Sequence, residues 1–372
     1  LIPRNTSAAR RRQDGPRNRG GQGTRMDGMW SDDPWGVNPA AFPPAGQSTA
    51  RLRFLVTYAV LAPSGHNTQP WRFRLSPEAT LELRADRTRR LPVVDPADRA
   101  LTISCAAALA NLRVAAAALG EGIQVTLLPD PGDPDLLARV QATGPCAPSV
   151  GGARLLRAIT ARRTSRFAYA PDPVPTLLRD QAVAAAEREG DVRLHWVEGF
   201  AERHAVALLV SEGDRIQMAD PAFRHELATW MRARGGLARD GMSGAAFGMP
   251  DLLTFAAAMV VRTFDMGAGQ AAKDQALAEG SPALAVLATP GDTVRDWLAA
   301  GEALQRMLLA VTAGGFTASF MNQPVEVPAL RARLAEAVGA RGVPQLLVRI
   351  GRGPKPVPAV RRAVAEVLRE VG

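Results

Sequence analysis

The stretch Ala62-Pro63-Ser64-Gly65-His66-Asn67-Thr68-Gln69-Pro70-Trp71 concentrates polar side chains between residues that break regular structure. Pro63 and Gly65 end the helix that the preceding apolar residues predict. The alternation of apolar and polar residues from Trp71 to Leu75 then predicts a strand. We therefore expect a loop that connects a helix to a strand and displays several polar groups.

Four side chains of this loop are candidate ligand-binding groups. Ser64, His66, Asn67 and Gln69 supply a hydroxyl, an imidazole and two carboxamides within a short segment. A carboxamide offers a donor and an acceptor together, which suits the edge of a planar heterocycle such as a flavin. A hard cation would instead prefer carboxylates. The alternative is a capped turn whose polar groups bond only to nearby backbone.

The loop also carries a family resemblance. Residues 63–71 follow the pattern Pro-Ser-x-x-Asn-x-Gln-Pro-Trp, and with the strand after them they resemble the flavin-contacting loop of the nitroreductase superfamily. Among its branches, the chain most resembles the Acg-type FMN-binding proteins, over roughly residues 50–370. The resemblance implies an α+β fold of two similar halves, a fused pseudo-dimer in which each half is a small, mainly antiparallel sheet wrapped by helices.

A basic segment, Arg162-Arg163-Thr164-Ser165-Arg166, follows a short predicted helix. Guanidinium groups bind phosphate oxygens through two parallel hydrogen bonds, so this segment is a candidate anion site. The alternative is a solvated basic helix end, which the helix dipole favours. The spacing resembles the nitroreductase element that holds the FMN phosphate and ribityl oxygens. That resemblance assigns Arg162, Thr164 and Arg166 to the cofactor and leaves Arg163 either assisting or exposed.

Two later segments resemble further parts of a nitroreductase flavin site. Residues 316–324 resemble the segment whose backbone passes close to the flavin ring, which implies that Met321 and Asn322 approach it. The alternative for this segment is a helix-exit loop that packs on the core. Arg361, which precedes a predicted terminal helix, matches the closing arginine at the FMN phosphate.

These parts add up to one site. The first half has the ring loop but only Arg51-Leu52-Arg53-Phe54 where phosphate arginines belong, and the second half has the arginines without a ring loop. We therefore predict one FMN per chain, with its ring against residues 63–69 and its phosphate against Arg162, Arg166 and Arg361. A strand followed by Gly-x-Gly-x-x-Gly is lacking, and FMN needs no such pyrophosphate turn.

Two functions are compatible with this prediction. One is an oxidoreductase in which NAD(P)H reduces the flavin and an electron-poor small molecule, such as a nitro-compound or a quinone, then takes the electrons. In that function Arg166 would stabilise the reduced flavin, and Asn67 or Gln69 would donate to the ring edge. The other is a non-catalytic FMN storage protein in which a Gly-rich lid, within residues 241–260, covers the ring.

Composition and charge predict the domain organisation. Residues 1–25 hold seven arginines against one acid, so much of the formal charge of +9 lies there. We expect a disordered basic tail over residues 1–48, since this segment has few apolar residues. The halves are predicted as 49–148 and 149–372, separated by a Gly- and Pro-rich link over 144–152. The rest of the chain is nearly balanced in charge, which makes nucleic acid an unlikely partner.

The remaining sequence features argue against membrane proteins and metalloproteins. No run of about 18 uncharged apolar residues occurs, so we expect no membrane span, and Leu252–Val261 is predicted to be a buried helix or a lid. The two cysteines lack metal-site spacing, and His225-Glu226 lacks the second histidine of a zinc protease helix. We expect a metal-free cytoplasmic protein, monomeric as an intrachain pseudo-dimer, that takes a small-molecule substrate. Further homodimerisation stays open.

Overall fold

The computed structural model describes residues 33–188, 192–233 and 238–371, except the side chains of residues 246 and 247. The described residues belong to one compact unit, Asp32–Gly372. The predicted division into two halves at residue 148 therefore stays a prediction.

The predicted helix before residue 63, the strand from Trp71 to Leu75 and the short helix before Arg162 are present. The helices are α1 Ser48–Ala59, α2 Arg99–Leu119, α3 Gly152–Ala161, α4 Thr176–Ala186, α5 Phe200–Ala219, α6 Pro221–Thr229, α7 Thr254–Thr263, α8 Gly267–Glu279, α9 Val294–Ala313, α10 Gln323–Glu326, α11 Pro328–Ala337 and α12 Val364–Val367. The strands are β1 Trp71–Leu75, β2 Thr80–Ala85, β3 Glu121–Leu127, β4 Leu136–Pro145, β5 Arg193–Val197, β6 Ala283–Thr289, β7 Thr317–Phe320, β8 Val343–Gly351 and β9 Leu368–Glu370.

The strands form two separate sheets, as the resemblance implied. One sheet has the order β3-β4-β2-β1-β9 and the other has the order β5-β6-β8-β7. The pairings are antiparallel except for the parallel pair of β1 and β9. Helices pack against both sheets, so the expected α+β class with two mainly antiparallel sheets is confirmed.

The two long apolar helices α2 and α9 cross at the centre of the molecule. Gly301 lets α9 approach α2 so closely that a Cβ atom there would lie 2.2 Å from the carbonyl oxygen of Ile103. Beside this crossing, Gln305 donates to Asn111 at 2.6 Å, and Asn111 donates to the Tyr58 carbonyl at 2.9 Å. The crossing joins the helices that cover the first sheet to those that cover the second.

Helix α2 is also the one helix among the described residues that is long and apolar enough to cross a membrane by itself. Its most apolar window has a mean hydropathy of 1.5, and 78% of that window is buried inside the protein. Residues 251–279 pass the same test only as a pair of helices bent by 113°. A mostly buried helix of this kind is typical of a protein core.

Residues 33–47, which we predicted as part of a disordered tail, pack against the folded protein instead. Trp35 and Phe42 contact the core of the first sheet, and the Trp35 indole N–H donates to the Ala359 carbonyl at 2.8 Å. Asn38 caps a short 3₁₀ helix over Pro39–Ala41. A few aromatic anchors thus order a segment whose average composition predicts disorder. The rest of that predicted tail, residues 1–32, lies outside the described residues.

The predicted terminal helix after Arg361 is mostly wrong. Only Val364–Val367 is helical, and Leu368–Glu370 pairs in parallel with β1. The Val371 N–H donates to the Leu75 carbonyl at 3.0 Å. The edge of β1 offers backbone groups that need partners, and the end of the chain satisfies them.

Helix α7 corrects another prediction, since it is not buried. Phe255 is 76% exposed, Met259 is 50% exposed, and Leu252 just before the helix is 82% exposed. A continuous apolar run does not distinguish a core helix from an exposed apolar one. None of these side chains lines the cavity described below.

Candidate functional site

A cavity lies where four loop segments meet: residues 63–67, 162–166, 240–245 and 356–361. Its empty space, counted together with its open mouth, is about 870 Å³. Trp35, Arg232, Ala233 and Phe320 complete its wall. Eight of the predicted site residues line this cavity: Pro63, Ser64, Asn67, Arg162, Arg163, Thr164, Arg166 and Arg361. The other four do not line it: His66, Gln69, Met321 and Asn322.

The backbone of the 63–69 loop is held in an uncommon conformation. His66, Asn67 and Gln69 have φ angles of 48°, 55° and 54°, in the left-handed region. Such angles cost free energy for residues other than glycine, and they persist where the surroundings fix them. Here the Ser64 hydroxyl accepts from the Gln69 N–H at 2.9 Å. Strained, externally fixed backbone of this kind concentrates at functional sites.

Gln69 fixes the loop rather than facing the cavity. Its side chain is fully buried, donates to the Arg239 carbonyl at 2.8 Å and accepts from the Arg362 N–H at 2.8 Å. Both ends of the carboxamide are therefore used by the protein backbone. Gln69 therefore has no free group for a ring edge, and it does not form a local capped turn either, because Arg239 and Arg362 are remote from it in the sequence.

Asn67 joins the loop to the predicted phosphate arginine. Its carbonyl oxygen accepts from the Arg361 guanidinium at 2.8 Å, and its amide donates to the carbonyls of Gly241 at 2.9 Å and Val360 at 3.2 Å. Residues almost three hundred positions apart in the chain thus meet in direct contact. The juxtaposition on which the single-site prediction depends is present in the structure.

Arg162 and Arg361 are buried cations without an acidic partner. Each is 4% exposed, and no carboxylate among the described residues lies within salt-bridge distance of either. The Nε atom of each also lacks a hydrogen-bond partner. Burial, together with the charge of Arg163, lowers the pKa of Arg162 to about 10. Burial and the charges of Arg162 and Arg163 lower the pKa of Arg361 well below its ordinary value.

Such an arrangement favours a bound anion. Taking a charge out of water without a counter-charge costs several kcal/mol as an order of magnitude, and like charges nearby add to that cost. An anion in the cavity would offset both terms and satisfy the Nε donors. The alternative interpretation of the 162–166 segment as a solvated helix end does not describe Arg162, which is buried.

Trp35 is a cavity residue that the sequence analysis missed. The Arg163 guanidinium lies 4.1 Å from the centroid of its ring, and the Arg361 guanidinium lies 4.9 Å from it. Cation–π contacts of this length attract and orient guanidinium groups. The signal in the sequence was a tryptophan between Pro34 and Gly36 in an otherwise polar segment. The same contacts place Arg163 at the cavity rather than in solvent.

The edge of the second sheet positions the 162–166 segment. Helix α3 ends at Ala161, and Arg162 is already extended. Thr164 then pairs with Ala318 of β7, and the Ser165 N–H donates to the Ala318 carbonyl at 3.2 Å. This extended run directs Arg162 and Arg166 into the cavity, where Arg166 lies 3.7 Å from the Met242 sulfur.

Met321 and Asn322 lie behind the cavity wall. Met321 is buried in the core on the far side of β8, and the Asn322 side chain accepts from the Leu347 N–H at 3.0 Å. Their neighbour Phe320 lines the cavity instead. These contacts agree with the alternative of a loop that packs on the core.

The first-half arginines do not form a second phosphate site. Arg51 makes a buried ion pair with Glu121 at 2.6 Å, and Arg53 pairs with Glu370. Both charges are already compensated by acids. The cationic part of the site comes from the later segments alone.

His66 is held neutral next to the cavity. Burial, and to a lesser extent the charge of Arg166, lowers its pKa from 6.5 to about 4. At neutral pH the imidazole is therefore uncharged, and it adds no positive charge to a region already rich in guanidinium groups.

The pKa of His66 predicts how stability depends on pH. Above pH 6.5 the residue is neutral in both states, but between pH 6.5 and about 4 only the unfolded chain takes up the proton. The free energy of unfolding should therefore fall as the pH drops through this window. Urea unfolding at several pH values measures this, and His66→Asn should make the dependence shallower. An equally steep dependence in His66→Asn would contradict the assignment of the slope to this residue.

Among the described residues, no group of three or more His, Cys, Asp or Glu side chains is arranged to hold a metal ion. Cys105 is buried and Cys146 is exposed, and both are free thiols.

Comparison with known proteins gives the family. The chain is 34% identical over 343 residues to "Putative NAD(P)H nitroreductase Rv3131" of Mycobacterium tuberculosis, covering 90% of this chain and 95% of that protein. It is 30% identical over 328 residues to "Putative NAD(P)H nitroreductase acg" of the same organism, covering 86% and 96%. The chain therefore belongs to the nitroreductase superfamily, in its Acg-like branch. No family model matches the chain.

Solved structures show a weaker likeness. The FMN and NADPH-dependent nitroreductase NfnB from Sphigopyxis sp. strain HMH is 20% identical, with 59% of this chain and 99% of that chain covered and a TM-score of 0.41. NfnB from Mycobacterium smegmatis in complex with NADPH is also 20% identical, with 58% and 92% covered and a TM-score of 0.32.

Proposed function

We propose that this protein binds one FMN per chain and uses it as an NAD(P)H-dependent oxidoreductase that reduces an electron-poor small molecule. The observation that carries the proposal is the meeting of Arg162, Arg361 and Asn67 in one cavity, where two buried guanidinium groups have no acidic partner within the described part of the chain. The named mycobacterial relatives support the same class of reaction.

The residues of the cavity fit FMN in charge and in polarity. A phosphate dianion would compensate Arg162, Arg163 and Arg361 and accept from the two Nε donors that have no partner. Pro63, Phe320 and Met242 also line the cavity and offer the apolar surface that a flat ring needs.

Bound FMN supplies the chemistry of hydride transfer, and the protein supplies orientation and electrostatics. Arg166 lies beside Met242, with its guanidinium 3.7 Å from the sulfur, and would stabilise negative charge on a ring bound there. Asn67 holds the Arg361 guanidinium in place at 2.8 Å, so its role is to position the anion site.

A second candidate function is storage of FMN without turnover. It is favoured by the segment that covers the cavity, because Gly241 donates its N–H to the Asn67 carbonyl at 3.2 Å and accepts from the Asn67 amide at 2.9 Å. These hydrogen bonds attach the covering segment, residues 240–245, to the 63–69 loop. A covering segment held in this way would hinder entry of a nicotinamide ring.

Anaerobic stopped-flow mixing distinguishes the two functions. The purified protein, loaded with FMN, is mixed with NADH or with NADPH, and the flavin absorbance is followed. An oxidoreductase should lose its oxidised-flavin absorbance within seconds and regain it when a nitro-aromatic or quinone acceptor is added. A flavin that stays oxidised for hours with both nucleotides would contradict turnover and favour storage.

We further propose, as extensions of this function, that the protein works in the cytoplasm on a small-molecule substrate. The intrachain arrangement of two sheets would replace the subunit pair of dimeric nitroreductases.

A further inference from the structure

A second polar groove lies away from the cavity, where β9 joins β1. It measures about 730 Å³, and its lining is rich in arginine, with Asp135 and Glu366 as its acids. The arginines of the groove are Arg72, Arg74, Arg84, Arg362 and Arg369. The last strand of the chain builds this groove, because Arg369 belongs to β9.

Two of these arginines, Arg74 and Arg369, lie side by side and carry like charges. Arg74 of β1 and Arg369 of β9 are register partners in parallel strands, and both are exposed on the solvent face of the sheet. Like charges at neighbouring positions of a sheet destabilise it. Neither side chain makes an ion pair or a hydrogen bond with any residue that the structure describes. Glu82, opposite Arg74 on β2, pairs with Arg84 and Arg139 instead.

The other arginines are fixed in place by the protein. Arg72 pairs with the buried Asp86 at 2.8 Å, and Arg84 pairs with Asp133 at 2.6 Å. Arg362 is held by the Gln69 carbonyl at 3.1 Å. The groove therefore combines three positioned guanidinium groups with two that have no partner of their own.

We propose that this groove binds a small anion of the pyrophosphoryl type, with two or more negative charges, between Arg74 and Arg369. Planar guanidinium groups on adjacent strands present parallel donors to phosphoryl oxygens. The site is separate from the flavin cavity, because Arg361 faces the cavity and the next residue, Arg362, faces the groove. The proposal does not depend on the function assigned to the cavity.

Titration calorimetry of the full chain with inorganic pyrophosphate at low ionic strength tests the proposal. The flavin cavity also attracts anions, so the background is the Arg162→Ala/Arg361→Ala variant, in which anion binding in the cavity should be weakened about a hundredfold. In that background pyrophosphate should still bind. Adding Arg74→Ala and Arg369→Ala should weaken binding by about tenfold or more, since two charge-assisted contacts are lost. Arg74→Lys/Arg369→Lys keeps the charge and should retain part of the affinity.

The matched control is Arg139→Ala, which removes one positive charge from the exposed face of the same sheet, outside the groove. It should lower the affinity far less than the Arg74 and Arg369 substitutions do, and the remaining effect should disappear at physiological ionic strength, where a charge without contact to the anion is screened. Repeating the titration with ADP identifies the source, since tighter binding of ADP points to a nucleotide and equal binding to a free pyrophosphoryl group. An affinity unchanged by the Arg74 and Arg369 substitutions, or lowered equally by Arg139→Ala, would overturn the proposal.

Discussion

Replacing Arg162 and Arg361 together by methionine should weaken FMN binding by about a hundredfold or more. The FMN phosphate would lose its hydrogen bonds to both guanidinium groups, and each hydrogen bond to a charged group is worth about 1.5–3 kcal/mol. A loss of about 1.4 kcal/mol in binding free energy raises the dissociation constant tenfold. Fluorescence of FMN, which changes when the flavin is bound, gives the dissociation constants of wild type and variant. The substitution removes the charges but keeps much of the volume of both side chains.

The single variants separate a binding role from a structural one. Arg162→Met should leave the free energy of unfolding of the cofactor-free protein unchanged or raise it, since a buried charge without an acid disappears. Arg361→Met should lower this free energy of unfolding, because the backbone carbonyls of Leu61 and Ala62 lose their hydrogen-bond donor.

The control for both is Arg157→Ala, an exposed arginine of α3 that lies outside the cavity. FMN affinity equal to wild type in the double methionine variant would place the flavin elsewhere. An equal loss of affinity in Arg157→Ala would mean that general electrostatic attraction, not contact, holds the cofactor.

Gly301→Ala should be among the most destabilising single substitutions in the chain, by about 3 kcal/mol. The added Cβ would lie 2.2 Å from the Ile103 carbonyl oxygen and 2.6 Å from the Ala106 side chain, so α2 and α9 must separate. Backbone atoms cannot rotate aside as a flexible side chain does. Urea unfolding, followed by circular dichroism, measures the change in free energy.

Gly269→Ala provides the matched control. This glycine lies on the exposed side of α8, and a Cβ there would meet nothing within 4 Å. Because alanine has a helix propensity about 1 kcal/mol better than glycine, the control should be neutral or stabilising. A Gly301→Ala variant as stable as wild type would show that the crossing of α2 and α9 can adjust, contrary to the close packing described above.

Local patterns identified β1 and much of the cavity. The alternation in β1 and the Pro-Ser-x-x-Asn loop each depend on neighbours within a few residues, which the sequence displays directly. The same holds for the arginine spacing at 162–166. Patterns failed where a distant partner decides the outcome, as for the strand pairing of Leu368–Glu370, because residues 364–370 taken alone do not reveal the open edge of β1.

The two carboxamides of the loop illustrate the division between sequence and structure. The sequence shows that Asn67 and Gln69 have donors and acceptors, but it does not show what they bond to. Tertiary contacts assign Gln69 to the backbone of Arg239 and Arg362, and Asn67 to Arg361. Chemically similar side chains two residues apart thereby acquire different roles.

The sequence by itself indicated the family, through the Pro-Ser-x-x-Asn loop and the arginine spacing, and the family resemblance implied the two-sheet α+β class. It also showed which residue types could hold an anion, because side-chain chemistry is read directly from the residues. Only the tertiary structure decided that Trp35 lines the cavity, that α7 is exposed, and that Arg162 and Arg361 are buried with no acid of the described residues to pair with. The physical reason is that burial and electrostatic compensation depend on all neighbours in space, and most of those neighbours are remote along the chain.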